Sequence, residues 1–304
     1  WFFNDFDADV QEGDKVIFTS GSFSMDYTVV DISNLSIDRV TGQVNGIATP
    51  GTLVMAARYS EEYIAITHCN TRCDFKPVPS GGSFVVNLGE VYKGEDIIIY
   101  LITPEGEIVY YADYEAALGA NITYNEVFIY WPYSTGVLTA TLKDNSGAVL
   151  ETTDADPEYS GLYYYSAWFY NTLKPYYIIE VTDGEITLTM TVQALSKPRL
   201  NYNSNRLTGD APAGPVVAEI VSRELYTCKE AVSDGSYNID PGWDVKADES
   251  AFVSFRGQDG HYTNGDAMSF SMSYTVGTDY IGGIFETPGA SVNWTHKRGL
   301  LTIS

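Results

Sequence analysis

Hydrophobic and polar residues alternate with period two over much of the chain, the pattern of strands that bury one face. Phe23, Met25, Tyr27 and Val29 share a face in GSFSMDYTVVDI. Ile186, Leu188, Met190, Val192 and Ala194 do so against threonines in EITLTMTVQAL, and Met268, Phe270, Met272, Tyr274 and Val276 against serines in MSFSMSYTV. Turn residues interrupt these runs at Glu12-Gly-Asp, Pro50-Gly, Ser80-Gly-Gly, Pro104-Glu-Gly, Asp144-Asn-Ser-Gly, Asp183-Gly and Pro241-Gly. Many short strands with such punctuation predict an all-β protein of tandem antiparallel β-sandwich or jelly-roll domains. A short helix is predicted only over 113–118.

The first ten residues, WFFNDFDADV, form an amphipathic strand pattern. Phe2, Phe6, Ala8 and Val10 share one face, and Trp1, Phe3, Asp5, Asp7 and Asp9 the other. A strand of this kind either folds into its own sheet or completes a neighbour's by strand addition. Residues 1–12 are therefore read as an N-terminal donor strand. Residues 196–215, rich in Pro, Gly and Asn, break the periodicity and read as a linker or long crossover. They would separate a β-sandwich or jelly-roll region over 13–195, dividing again near 77–82, from a C-terminal β-sandwich over 216–304.

Composition narrows the function. The 304 residues carry 17 basic and 40 acidic side chains, a formal charge of −23. That excess disfavours nucleic acid and anionic membranes, which select basic patches. No apolar run approaches the roughly 20 residues that span a bilayer. The chain opens without an initiator Met or a leader, which suggests a mature form that begins after processing. Cys69 and Cys73 lie four apart in HCNTRC, with Cys228 far downstream. The spacing favours a local Cys69–Cys73 disulfide in an oxidising compartment. A bridge from Cys228 to one of the pair, or a metal site using His68, are the alternatives. Sequons at Asn34, Asn121 and Asn293 fit surface glycosylation of a secreted protein.

Two segments resemble known families. Phe2, Phe3, Asn4 and Asp5, followed by Phe18, Ser20, Gly21, Phe23 and Met25 and then Asn34-Leu35, resemble the start of mature TasA and camelysin-type proteins. The resemblance covers about 35 residues and implies extracellular jelly-roll subunits, with archaeal bundling pili as relatives, that pass an N-terminal strand into the next subunit. Residues 81–142 are similar to the small sandwich modules appended to secreted peptidases, through Asp96, Tyr100, Leu101, Pro104, Gly106, Glu126 and Gly136. Ile98 replaces the second aspartate of that pattern and Val137 its late tyrosine, so no calcium site is implied there. Such modules are non-catalytic.

Chemistry is sparse. Only His68, His261 and His296 could serve a Ser/His/Asp hydrolase, and none lies in a G-x-S-x-G elbow. His261, in RGQDGHYTNGD, reads as a surface turn residue. Nucleotide loops and H-E-x-x-H are absent, so the chain reads as a non-enzyme without a cofactor. Calcium is the inorganic partner the acidic clusters suggest, at Asp5 and Asp7 and at Asp154 and Asp156. Aromatics crowd GLYYYSAWFYNTLKPYYIIEV, where Tyr163, Tyr165, Trp168 and Tyr170 are candidates for a second subunit contact or a sugar platform. The sequence reading is thus a secreted, self-polymerising filament subunit of pilus or biofilm type. Its alternative is a monomeric surface adhesin or carbohydrate-binding β-sandwich that takes glycans.

Overall fold

The computed structural model describes residues 13–60, 69, 72–106, 108–133, 137–157, 163–201, 203–222, 225–246, 249–268, 271–274, 281–284, 294–297 and 300–303. The chain is all-β, as its periodicity predicts. It divides into two compact units: residues 1–117 with 130–134, and residues 118–129 with 135–304.

The first unit opens with β1 (Lys15–Ser20) and β2 (Phe23–Thr28), an antiparallel two-stranded ribbon in register Phe18↔Met25. The alternation in this segment is real, but its apolar face is not buried: Phe18, Phe23 and Met25 are all exposed. Seven strands follow: β3 (Ser33–Asp38), β4 (Gln43–Ile47), β5 (Leu53–Ser60), β6 (Arg72–Pro77), β7 (Ser83–Asn87), β8 (Glu95–Ile102) and β9 (Ile108–Asp113). They make a three-stranded sheet, β3-β4-β7, and a four-stranded sheet, β6-β5-β8-β9. The core takes alternate residues from both, with Val44, Phe84 and Val86 from the first and Val54, Ala56, Ile97, Ile99 and Leu101 from the second. Arg39, just past β3, ties the unit together. Its guanidinium donates to Asp113 Oδ2 at 2.9 Å, to the Asp113 carbonyl at 3.1 Å and to the Glu95 carbonyl at 3.0 Å. The 77–82 segment joins β6 to β7 within this sandwich, so no boundary falls there.

The second unit holds β10 (Ala117–Asn121), β11 (Glu126–Tyr130), β12 (Thr139–Lys143), β13 (Val149–Asp154), β14 (Asp156–Pro157), β15 (Tyr164–Trp168), β16 (Ile178–Thr182), β17 (Thr187–Thr191), β18 (Arg199–Asn201), β19 (Arg206–Asp210), β20 (Gly214–Val221), β21 (Tyr226–Ser233), β22 (Ser236–Ile239), β23 (Ser250–Arg256) and β24 (Tyr262–Met268). β10 and β11 reach one residue across the unit boundary at their ends. An eight-stranded sheet runs β14-β15-β11-β10-β24-β23-β20-β21, a four-stranded one β13-β12-β16-β17 and a three-stranded one β18-β19-β22. The β10–β24 pairing is parallel, Gly119↔Tyr262, and joins early and late parts of the unit. Backbone ladders also define β25 (Ser271–Tyr274) with β26 (Ile281–Ile284) and β27 (Trp294–Lys297) with β28 (Leu300–Ile303).

Several expectations differ from this fold. Residues 113–118 form no helix; they run from the end of β9 into β10. The expected linker 196–215 carries β18 and β19, whose Leu200 and Leu207 are fully buried, and it runs into β20. Its Gly209, Gly214 and Pro215 lie within strands, and its Leu200 and Leu207 belong to the core. The 81–142 segment is shared between the units, with β7–β9 in the first and β12 in the second.

Candidate binding surface

The Tyr/Trp-rich segment of the second unit is held from three sides. β15 pairs with β14 at Asp156↔Ser166, and both Ser166 and Ala167 are buried. Past the strand, Phe169 turns into the core, and its N–H donates to the Asn125 carbonyl at 2.9 Å. Leu173 is buried as well, and its N–H donates to Asn125 Oδ1 at 3.1 Å. Between these anchors the Glu151 carboxylate of β13 accepts from Tyr170 N–H at 3.0 Å, Asn171 N–H at 3.0 Å and Asn171 Nδ2 at 2.9 Å. Partial burial pushes the Glu151 pKa up, but these three donors outweigh it and hold the carboxyl below its ordinary range.

The end of β15 presents Trp168 at 53 % exposure, and the loop so fixed presents Tyr170 at 100 %. Singly exposed aromatic rings are ordinary, and Tyr110 and Tyr226 are others here; what marks this pair is the fixed backbone between them. Two such groups flanking a buried Phe form a pre-organised platform whose ordering cost is met in the free protein. Flat, apolar faces with a polar edge suit stacking on sugar rings or packing on another protein. The four expected aromatics do not form one row. By strand parity Trp168 lies on the face of β15 opposite Tyr165, which is half-buried, and Tyr163 precedes the strand on the Tyr165 parity.

The remaining sequence candidates fare differently. Phe2, Phe6, Ala8 and Val10, with Asp5 and Asp7, lie outside the described residues, as do Asn293 and His68. Asp154 and Asp156 are exposed, and among the described residues no three His, Cys, Asp or Glu side chains gather as a metal site. Asn34 is exposed in β3 at a φ of 51°. Asn121 is not an available glycan acceptor, being only 2 % exposed. Its Nδ2 donates to Asp266 Oδ2 at 2.6 Å while its Oδ1 accepts from Thr123 N–H at 2.9 Å. The local Cys69–Cys73 bridge is not formed. Cys73 is a free, exposed thiol opposite Ala57 in the β5–β6 ladder, and Cys69 and Cys228 are the disulfide-bonded cysteines. His261 is buried rather than a surface residue, because the parallel β10–β24 pairing covers it and its Nδ1 accepts the Leu118 N–H at 3.1 Å.

Sequence reasoning missed Glu151, Asn125 and Asn171. The clamp pairs residues up to 48 positions apart, and no local pattern marks a carboxylate that will meet two backbone N–H groups.

No family model matches the chain, and no curated protein does. Among solved structures, a tetra-tandem repeat from the extending region of a large adhesion protein aligns at 13 % identity over 80 % of this chain and 75 % of the other, with a TM-score of 0.22. The BSP domain of a biofilm-associated protein aligns at 10 % identity over 79 % and 65 %, TM-score 0.22. A structure concerned with host-cell surface retention of a 1.5-MDa bacterial ice-binding adhesin aligns at 12 % identity over 79 % and 97 %, TM-score 0.19. Likeness at this level identifies neither a shared fold nor a shared function.

Proposed function

We propose that the chain is an extracellular, non-enzymatic adhesive protein that binds carbohydrate through Trp168 and Tyr170. The observation that carries this reading is the exposure of both rings, one closing β15 and one on the loop fixed by Glu151, Phe169 and Asn125. Oxidised Cys69 and Cys228 support an oxidising compartment. The strong negative charge supports neutral or counter-charged partners over nucleic acid. The test is a glycan-array screen of the intact chain with size-exclusion light scattering alongside. Glycan binding by a monomer, lost on Trp168→Ala, is the expected result; unchanged binding by that variant would remove the platform from the reading.

A second reading keeps the filament. The β1–β2 ribbon presents Phe18, Phe23 and Met25 on one face, and among the described residues it pairs with no third strand. Such a ribbon suits the addition of residues 1–10 from a neighbouring copy, with Phe2, Phe6, Ala8 and Val10 against its apolar face. A head-to-tail contact of that kind propagates rather than closes. Electron microscopy of the chain lacking residues 1–10 is the check, since filaments of normal length from that truncation would exclude it.

A further inference from the structure

The four-stranded sheet β6-β5-β8-β9 buries one face in the core of the first unit, through Val54, Ala56, Ile97, Ile99 and Leu101. The other face of such an antiparallel sheet is ordinarily polar. Here the ladders align three apolar cross-strand rows on it. The middle row is Phe75, Met55, Tyr100 and Tyr110. On one side of it lie Pro77, Leu53, Ile102 and Ile108, and on the other Cys73, Ala57, Ile98 and Ala112. None of these side chains is charged, in a chain that is 19 % charged. The sequence of β8 shows the same thing: 97–102, IIIYLI, is an unbroken apolar run, the pattern of a strand covered on both faces.

The face is nonetheless open. Phe75 is 50 %, Ile108 62 % and Tyr110 68 % exposed, and Leu53, Met55, Ile98, Tyr100 and Ile102 are half-buried. At roughly 200 Å² per large side chain, the three exposed residues leave about 350 Å² uncovered and the whole face about 600 Å². That is the top of the range a monomer leaves apolar. Two such faces in contact would remove about 1,200 Å², the lower limit of a standard specific interface.

The relief of the face is self-complementary. Phe75, Met55, Tyr100 and Tyr110 make a ridge of large side chains. The row beside it is a trough, small at Cys73, Ala57 and Ala112 and broken only by Ile98, with the fully buried Ala57 as its floor. Ridge and trough lie about 6.8 Å apart, two residues along a strand. A twofold axis running between them, across the strands, sets each copy's ridge over the other's trough. Phe75, Met55 and Tyr110 then meet Cys73, Ala57 and Ala112 of the second copy, in a face-to-face stack of sheets.

We propose that this face is a self-association surface, on which two copies of the chain pair through their β6-β5-β8-β9 sheets. A second copy carries the ridge that the trough accepts. Each copy bears a formal charge of −23, so repulsion keeps the contact weak and the dilute chain monomeric. Because the contact itself holds no charge, salt screens the repulsion without weakening the interface, and pairing tightens as salt rises. This pairing requires neither the Trp168–Tyr170 platform nor residues 1–10.

The experiment is sedimentation velocity of the intact chain from about 1 to 200 μM, at low salt and at about 0.3 M salt. A monomer at the dilute end and a dimer at the other are expected, with a dissociation constant of about 20 μM that tightens a few-fold with salt. Tyr110→Glu, at an exposed ridge position, weakens pairing by about tenfold or more and leaves the melting temperature of the monomer unchanged. Ala112→Leu adds apolar area but fills the trough, so it weakens pairing too, which nonspecific stickiness would not do. Alkylation of Cys73 in the native chain slows about fivefold across the concentration range, as the trough becomes covered. Trp168→Ala and a chain lacking residues 1–10 pair normally. Four results would each overturn the assignment: a monomer throughout, undiminished pairing in Tyr110→Glu, stronger pairing in Ala112→Leu, or a Cys73 protected at every concentration, as a covering segment of the same chain would make it.

Discussion

Replacing Glu151 by Ala removes one carboxylate that accepts three hydrogen bonds from Tyr170 and Asn171. Hydrogen bonds to a charged acceptor are nominally worth 1.5–3 kcal/mol each, but this carboxylate is partly solvated. Screening brings the sum to about 1–2 kcal/mol. The buried Phe169 and Leu173 remain, so the fold survives and the melting temperature falls by only about 2–6 °C for a unit of this size. The larger effect is local. The Tyr170 and Asn171 amides lose their acceptor, and fixing two backbone residues costs about 1–2 kcal/mol each. Binding must then restore the roughly 1–2 kcal/mol of order that the clamp supplied, so ligands of the Trp168–Tyr170 platform should bind about five- to thirtyfold more weakly in Glu151→Ala. Amide hydrogen exchange reads the cause directly, as loss of protection at 170 and 171 with the Phe169 amide still protected. Because the folded Glu151 pKa lies below its ordinary value, its contribution is present above that value and fades as pH drops through the folded pKa. Protection at 170 and 171 should fade with it in the native chain. Exchange at these amides that is the same in Glu151→Ala and the native chain would refute the clamp.

Arg39→Ala removes the links from Arg39 to Asp113 and Glu95, and should cost the first unit about 2–4 kcal/mol, read by urea denaturation. Asp266 has its pKa raised by burial, with the Asn121 amide opposing the shift, so its ionisation weakens the fold as pH rises from the ordinary carboxylate value through the folded one. Asp266→Asn should then gain stability at pH 7 relative to the native chain, and the gain should vanish at acid pH, where Asp266 is protonated in both states. In the native protein Cys73 alone should react with an alkylating reagent, while Cys69 and Cys228 should become reactive only after reduction; peptide mapping distinguishes them.

Alternation of side chains, set by the two-residue period of an extended backbone, was enough to determine that the chain is all-β, where β17 runs and that Met190 and Val192 point inward. The same rule failed where burial depends on what lies opposite. Phe23 and Met25 alternate as well as any strand here, yet they remain exposed, because burial needs another layer packed on their face and alternation does not supply one. Asn121 carries a sequon that says nothing of its neighbours, and the strand pairing that brings Asp266 beside it, 145 residues later, makes it a buried structural amide. The 196–215 stretch reads as a linker because its Pro and Gly residues hide two short strands, and only the β18-β19-β22 pairing shows Leu200 and Leu207 as core. Tertiary structure alone decided the Glu151 clamp, the exposure of Trp168 and Tyr170, and the burial of Tyr237 over Gly209. Each depends on groups far apart in the chain that strand pairing brings together, and a local period carries no information about such pairings.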